Sequence, residues 1–204
     1  MPSLALSPAA RRSALWMLLA AVPAIGCTSL VLPPVQVARP ASVYVLREAM
    51  HVGIVVPDPV HEPTRYVEYG YGDWAWYALG QEAWWRAIPT VVWPTQGTYC
   101  RRVWAARDGD SLARLLAQHG CEADVMQVEG ERVVEFARGL EGQFQGGAEV
   151  RREELRMDFV KAEGGYWFLN TCADVAAEWC ESLGCDVGWA LIRSSLRVNP
   201  RTER

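Results

Sequence analysis

A cysteine in the first turn of a helix and a histidine on a strand are the minimum equipment for thiol chemistry, and this sequence holds a candidate for each. In Phe168-Leu169-Asn170-Thr171-Cys172-Ala173-Asp174, Thr171 followed three residues later by Asp174 is a capping pattern, and Gly184 supplies a stop. The spacing predicts a helix from Cys172 to about Leu183, with Cys172, Val175, Ala176, Trp179 and Leu183 on one face, so that the sulfur points inward, toward a sheet. A thiol there meets unpaired backbone N–H groups and the positive end of the helix dipole, which favour thiolate. The same N–H groups can stabilise the oxyanion of a tetrahedral intermediate. Of three histidines, His61 lies in a Pro-rich turn and His119 ends a helix beside Gly120. His51, on an apolar β-branched stretch, is the base candidate by elimination.

The elements that must position these groups follow from periodicity. Ser42 to Leu46 (SVYVL) and His51 to Val56 (HVGIVV) are read as central strands, and Pro57 to Pro63 as a turn. The stretch RYVEYGYGD, from Arg65 to Asp73, resumes the extended pattern. A hairpin turn near Val60 pairs residues whose numbers sum to about 120, which sets His51 across from Glu68 to Gly70. Trp74 to Ile88 is expected to include a short helix carrying Trp84 and Trp85. A strand at GTYCRRVWAA, a helix at DSLARLLAQHG, a strand at CEADVMQV and a helix from about Glu131 to Leu140 come next. Gly142 to Gly147 is read as loop, with structure resuming near Tyr166. This is an α+β pattern, an antiparallel sheet packed against helices. Asn170, Tyr71 and Trp74, with Tyr69, Trp76, Trp84 and Trp85, are candidates for the walls of a cleft or for core.

With 204 residues, 50% hydrophobic and 22% charged, the chain can build one domain with a sizeable core. Its 20 Lys and Arg against 24 Asp and Glu give a net charge of −4 without a basic run, which disfavours nucleic acid as a partner. The six cysteines form no CxxC and the histidines no HExxH, so neither a metal nor another cofactor is expected. Arg11 and Arg12 precede an apolar stretch through Ile25 that is too short and Pro-interrupted to span a bilayer stably, and so reads as an export signal. Ala24-Ile25-Gly26-Cys27 resembles the bacterial lipobox. That resemblance implies removal of residues 1–26, lipidation of Cys27, and an outer-membrane lipoprotein facing the periplasm. Residues 28–41, with Pro33, Pro34 and Pro40, are then expected to form an extended tether, and residues 42–204 a single domain, expected to be a monomer. Five cysteines would remain in an oxidising compartment. If Cys172 is the unpaired one, Cys100 with Cys121 and Cys180 with Cys185 are the favoured bridges; pairing of Cys172 with Cys180 or Cys185 is the alternative that would remove the nucleophile.

His51-Val52-Gly53-Ile54 on a strand, followed far downstream by Asn170-Thr171-Cys172 opening a helix, resembles the circularly permuted papain-like cysteine superfamily, which includes NlpC-type hydrolases and lecithin retinol acyltransferase-like enzymes. More narrowly, the chain is similar to a bacterial family of unassigned reaction, some members linked to urease gene neighbourhoods. That family's Gly-Trp-Gly-Asp motif stands here as Gly70-Tyr71-Gly72-Asp73, and its Asn-Thr-Cys-Asn motif as Asn170-Thr171-Cys172-Ala173. The resemblance implies a permuted papain-like fold and a Cys172, His51 and acid site. Hairpin arithmetic favours Glu68 as that acid and the motif favours Asp73, so both stand as candidates. The expected reaction is acyl transfer or amide hydrolysis on a peptidoglycan peptide or a lipid acyl group. A catalytically silent envelope binding lipoprotein is the alternative, and a thiol-sensing protein a third.

Overall fold

The computed structural model describes residues 27–49, 51–58, 65–83, 85 and 93–199. The export signal at 1–26, His61 and Trp84 lie outside them. In chain order the strands are β1 (Cys27–Leu32), β2 (Pro40–Glu48), β3 (His51–Pro57), β4 (Tyr66–Asp73), β5 (Thr95–Trp104), β6 (Glu122–Glu129), β7 (Val150–Arg152), β8 (Met157–Tyr166), β9 (Asp186–Val187) and β10 (Arg193–Val198). The helices are α1 (Gly109–Gln118), α2 (Gly130–Gln143) and α3 (Cys172–Ser182).

Seven strands form one antiparallel sheet in the order β6-β2-β3-β4-β5-β8-β7. β3 lies inside it, and all of its residues but Pro57 are buried, as the unbroken apolar run HVGIVV requires. Alternation then sorts its side chains between two layers. Val52, Ile54 and Val56 face α2 and α3, in one core with Ala137, Ala173, Ala176 and Cys180. Val55 faces the opposite way and joins Leu46, Trp104 and the α1 residues Leu112 and Leu116. Each flanking helix starts where its sequence allows. Asp108 and Ser111 close a reciprocal capping box on α1, and Thr171 and Asp174 do the same on α3.

Three expectations need correction. Cys27–Leu32 is not a tether. It is the central strand of a small second sheet, parallel to β10 and antiparallel to β9, and its Val31 is fully buried in the core that contains Leu196 and Leu183. The folded unit therefore includes Cys27 and does not wait for Ser42. Structure does not resume at Tyr166 but at β7 and β8, and β8 pairs with β5 from far upstream. The chemistry for that pairing is non-local, so the local Gly and charge content hid it. Within Trp74 to Ile88 a helical turn spans Trp74–Ala78, Trp85 is exposed and in a 3-10 turn, and Trp84 lies outside the described residues. Finally, Gly53 pairs with Gly70 and Val55 with Glu68, so paired numbers sum to 123. The odd sum puts Glu68 on the same face of the sheet as His51, two pairs further along.

If β1 belongs to the fold, Val31→Ala lowers the unfolding free energy by about 2 kcal/mol through lost burial and a residual cavity. Val35→Ala, at a side chain 59% exposed, changes it by less than about 0.5 kcal/mol. Equal urea midpoints for the two variants would show that residues 27–41 hang free of the domain.

Candidate active site

His51 opens β3 directly after a tight turn, in which Glu48 pairs with His51 and Ala49 takes φ 47°. Its ring is laid across the neighbouring strand at a place without a side chain. A β-carbon at Gly70 would lie 2.5 Å from both Cε1 and Nε2 of His51 and 2.7 Å from the Cys100 sulfur. Gly72 does the same for Tyr77, whose ring would be 2.4 Å from a β-carbon there. The Gly70-Tyr71-Gly72 spacing is thus a period-2 groove in which two rings are seated, their centroids 5.7 Å apart.

The imidazole is buried, and neither of its nitrogens has a hydrogen-bond partner among the described residues. Nε2 faces Glu68 Oε1 at 3.8 Å. That carboxylate is wholly inaccessible and strongly held. Arg102 donates from Nε to Oε2 at 2.8 Å and from Nη2 to Oε1 at 3.2 Å, and the Trp104 indole N–H donates to Oε2 at 2.8 Å. Arg102 also donates to Glu48 at 2.8 Å, with its guanidinium 4.3 Å from the centre of the Trp104 ring. Burial works against the Arg102 charge, but Glu68 and Glu48 overcome it and hold the group above its ordinary value. For His51 burial wins. It lowers the imidazole's pKa with help from Arg102, against the opposing pull of Glu68 and Glu48.

Cys172 is the first residue of α3 and is buried. Its sulfur accepts from the backbone N–H groups of Val52, of Ala173 and of Cys172 itself. These pull the thiol's pKa down, as a helix N-terminus is expected to, but burial is the larger effect and leaves it above the ordinary value. The expectation of a thiolate set by helix position is corrected accordingly. Thiol and imidazole therefore meet the same stretch of β3, one at the Val52 N–H on the α3 side and the other from residue 51 on the α1 side. No hydrogen bond joins them.

Asp73 stands elsewhere. Its Oδ1 accepts from the Trp76 N–H at 2.7 Å and its Oδ2 from the Thr95 hydroxyl, so both oxygens are engaged in capping the turn that delivers Tyr77. Of the two candidate acids, Glu68 is the one beside His51. Asn170 donates to the Gly165 carbonyl at 2.7 Å and to the Tyr71 hydroxyl at 3.3 Å, which secures the turn before Cys172. Trp74 packs near Phe159 and Met157 with Lys161 Nζ 5.1 Å from its ring centre, and Tyr69 is core, donating to Glu141. His119 contacts the Leu115 carbonyl and the Trp104 ring. Cys27 is exposed, and all six cysteines stand as thiols, with no bond joining Cys100 to Cys121 or Cys180 to Cys185.

A cavity of about 270 Å³ opens beside His51, walled by Trp76, Tyr77, Cys100, Leu155 and Met157 with Glu48, Glu82, Arg102 and Arg152 as its charged groups. A second cleft of about 270 Å³, lined by Arg47, Val52, Ser194, Ser195 and Arg197, also reaches His51. Sequence reasoning missed Arg102, Trp104, Cys100 and Tyr77. The signal was present in GTYCRRVW, where Cys100, Arg102 and Trp104 alternate onto the face opposite Arg101. Among the described residues no cluster of three or more His, Cys, Asp or Glu is placed to hold a metal ion. Compared with family models, curated proteins and solved structures, the chain matches none of them.

Because the folded state holds His51 below the value of an unfolded imidazole, the unfolded chain binds the extra proton first. His51 thus contributes stability above about pH 6.5 that is lost as the pH falls toward and through its folded value, at up to about 1.4 kcal/mol per pH unit. Urea unfolding of wild type and His51→Asn between pH 4 and pH 8 is expected to show this slope in the wild type alone; parallel curves would place the proton elsewhere.

Proposed function

We propose that this chain is a thiol-dependent acyl-transfer enzyme of the cell envelope, an amidase or an acyltransferase, built on a permuted papain-like fold. The observation that carries the reading is the buried imidazole of His51, with both nitrogens unpartnered among the described residues and Nε2 turned to a clamped carboxylate. Buried polar atoms are ordinarily satisfied, and an imidazole left open beside a fixed acid is poised for proton transfer. His51 also stands one residue from the Val52 N–H that supports the Cys172 sulfur, which keeps base and nucleophile at the same end of β3 though on opposite faces of it. The order of His strand before Cys helix, and the antiparallel sheet with α3 packed on it, support the permuted papain-like assignment.

In this mechanism Nε2 faces Glu68 in the resting state, and Nδ1 is the nitrogen that meets the thiol once the ring has turned. Burial disfavours both ions, so the resting pair is neutral thiol and neutral imidazole. Attack of Cys172 sulfur on the carbonyl carbon is accompanied by transfer of the thiol proton to Nδ1, and Glu68 stabilises the imidazolium that forms. The α3 N–H groups hold the oxyanion. Collapse expels the amine or alcohol, which takes the proton from His51, and water or an acceptor then resolves the thioester. The imidazole turns from its seat over Gly70 to reach the sulfur. Peptidoglycan peptides and lipid acyl groups are the substrates that an envelope location, with Cys27 lipidated, makes available.

A second reading, a catalytically silent envelope binding lipoprotein, is favoured by the buried thiol and by the lack of a thiol–imidazole hydrogen bond. Incubation with an activated acyl ester separates the two. The enzyme reading expects a single acyl adduct on Cys172 by mass spectrometry. It forms about 10²–10⁴-fold more slowly in His51→Ala, with an acidic limb below about pH 6.5. An unmodified Cys172, or equal rates in the two proteins, leaves the binding module.

A further inference from the structure

Five apolar side chains stand in solvent around the start of β1. Trp189 is 84% exposed, Leu191 68%, Leu30 49%, Leu169 41% and Phe168 37%. Backbone bonds tie the segments that carry them together. The Cys27 N–H donates to the Ile192 carbonyl, the Gly188 N–H to the Leu30 carbonyl, and the Thr171 hydroxyl to the Arg193 carbonyl. Arg193 also closes its own loop on the Gly188 carbonyl and fastens it to α3 through Asp174 at 3.0 Å. Apolar groups gathered in this way on a held surface mark a contact site.

The sequence before β1 says what the contact is. Residues 13–25 carry no charged side chain and follow Arg11 and Arg12. On the lipobox resemblance, acyl chains on Cys27 put the hydrocarbon at the Cys27 side chain. β1 begins at Cys27, already paired to Arg193, so no slack separates the bilayer from the fold.

We propose that Leu30, Phe168, Leu169, Trp189 and Leu191 form a docking surface for a lipid bilayer, seating the domain flush on the membrane with Trp189 at the level of the headgroups. Tryptophan suits that depth, with an apolar body and a polar N–H. The contact is apolar, so it persists at high salt. It also brings the cleft lined by His51, Ser194 and Ser195 next to the lipid surface, because Thr28 of β1 pairs with Ser195. The proposal rests on membrane attachment through residues 11–27 and not on the chemistry of Cys172.

The test reconstitutes the full chain in phosphatidylcholine vesicles made with and without acyl-brominated lipid, and compares tryptophan quenching in wild type and Trp189→Phe. The quenched component is expected to fall by about a third or more in the variant, and to fall also in Leu191→Asp. Any contribution from Trp16 is common to all three proteins. Equal quenching in sedimented vesicles overturns the docking surface alone. A chain that stays in the supernatant overturns both the docking surface and the membrane reading of residues 11–27.

Discussion

A carboxylate with no access to water has to be neutralised within the fold, and Glu68 sets that condition for the centre of this sheet. Its partner Arg102 lies directly opposite it on β5, and Trp104, two residues on, completes the set of donors. Removing ions from water is costly, and the attraction between them offsets the cost only when geometry is good and the remaining lone pairs are bonded. Here three N–H donors and a second carboxylate, Glu48, meet those terms. The β4–β5 register is consequently pinned, since a shift of one residue would send Glu68 to the α2 and α3 face and leave Arg102 behind.

The seat of His51 depends on that register. With Glu68 fixed, the residue two positions on must lack a β-carbon, and the next on that face must lack one as well to admit Tyr77. Asp73 then terminates the strand by capping the turn that swings Tyr77 back over Gly72. The glycines of this extended motif thus lack side chains, which makes room for rings. The acid of the motif serves the backbone, and the acid beside the imidazole comes from earlier in the same strand.

Much of this was legible locally. The strand at HVGIVV and the Thr171 and Asp174 box on α3 each carry their own signal within a few residues. The inward face of α3, with Cys172 on it, follows from helical spacing alone. The Glu68 clamp was half legible, because the acid could be placed near His51 but its cationic partner lay on a strand whose register no local pattern sets. β8 and β1 were not legible for the same reason, as each is made a strand by a partner far away in sequence. The burial that raises the Cys172 thiol is likewise a property of what surrounds the helix end, and the helix alone would have lowered it.

The parallel pairing of β1 with β10 joins positions about as far apart as this fold allows, Cys27 with Arg193. Closing so long a loop carries a large entropic cost before any contact offsets it, and pairings of this kind form slowly. During synthesis β1 has no partner until β9 and β10 have emerged. Until then Val31 and Leu30 stay open to other chains, and completion of the small sheet is the step at which this end of the molecule becomes a finished surface.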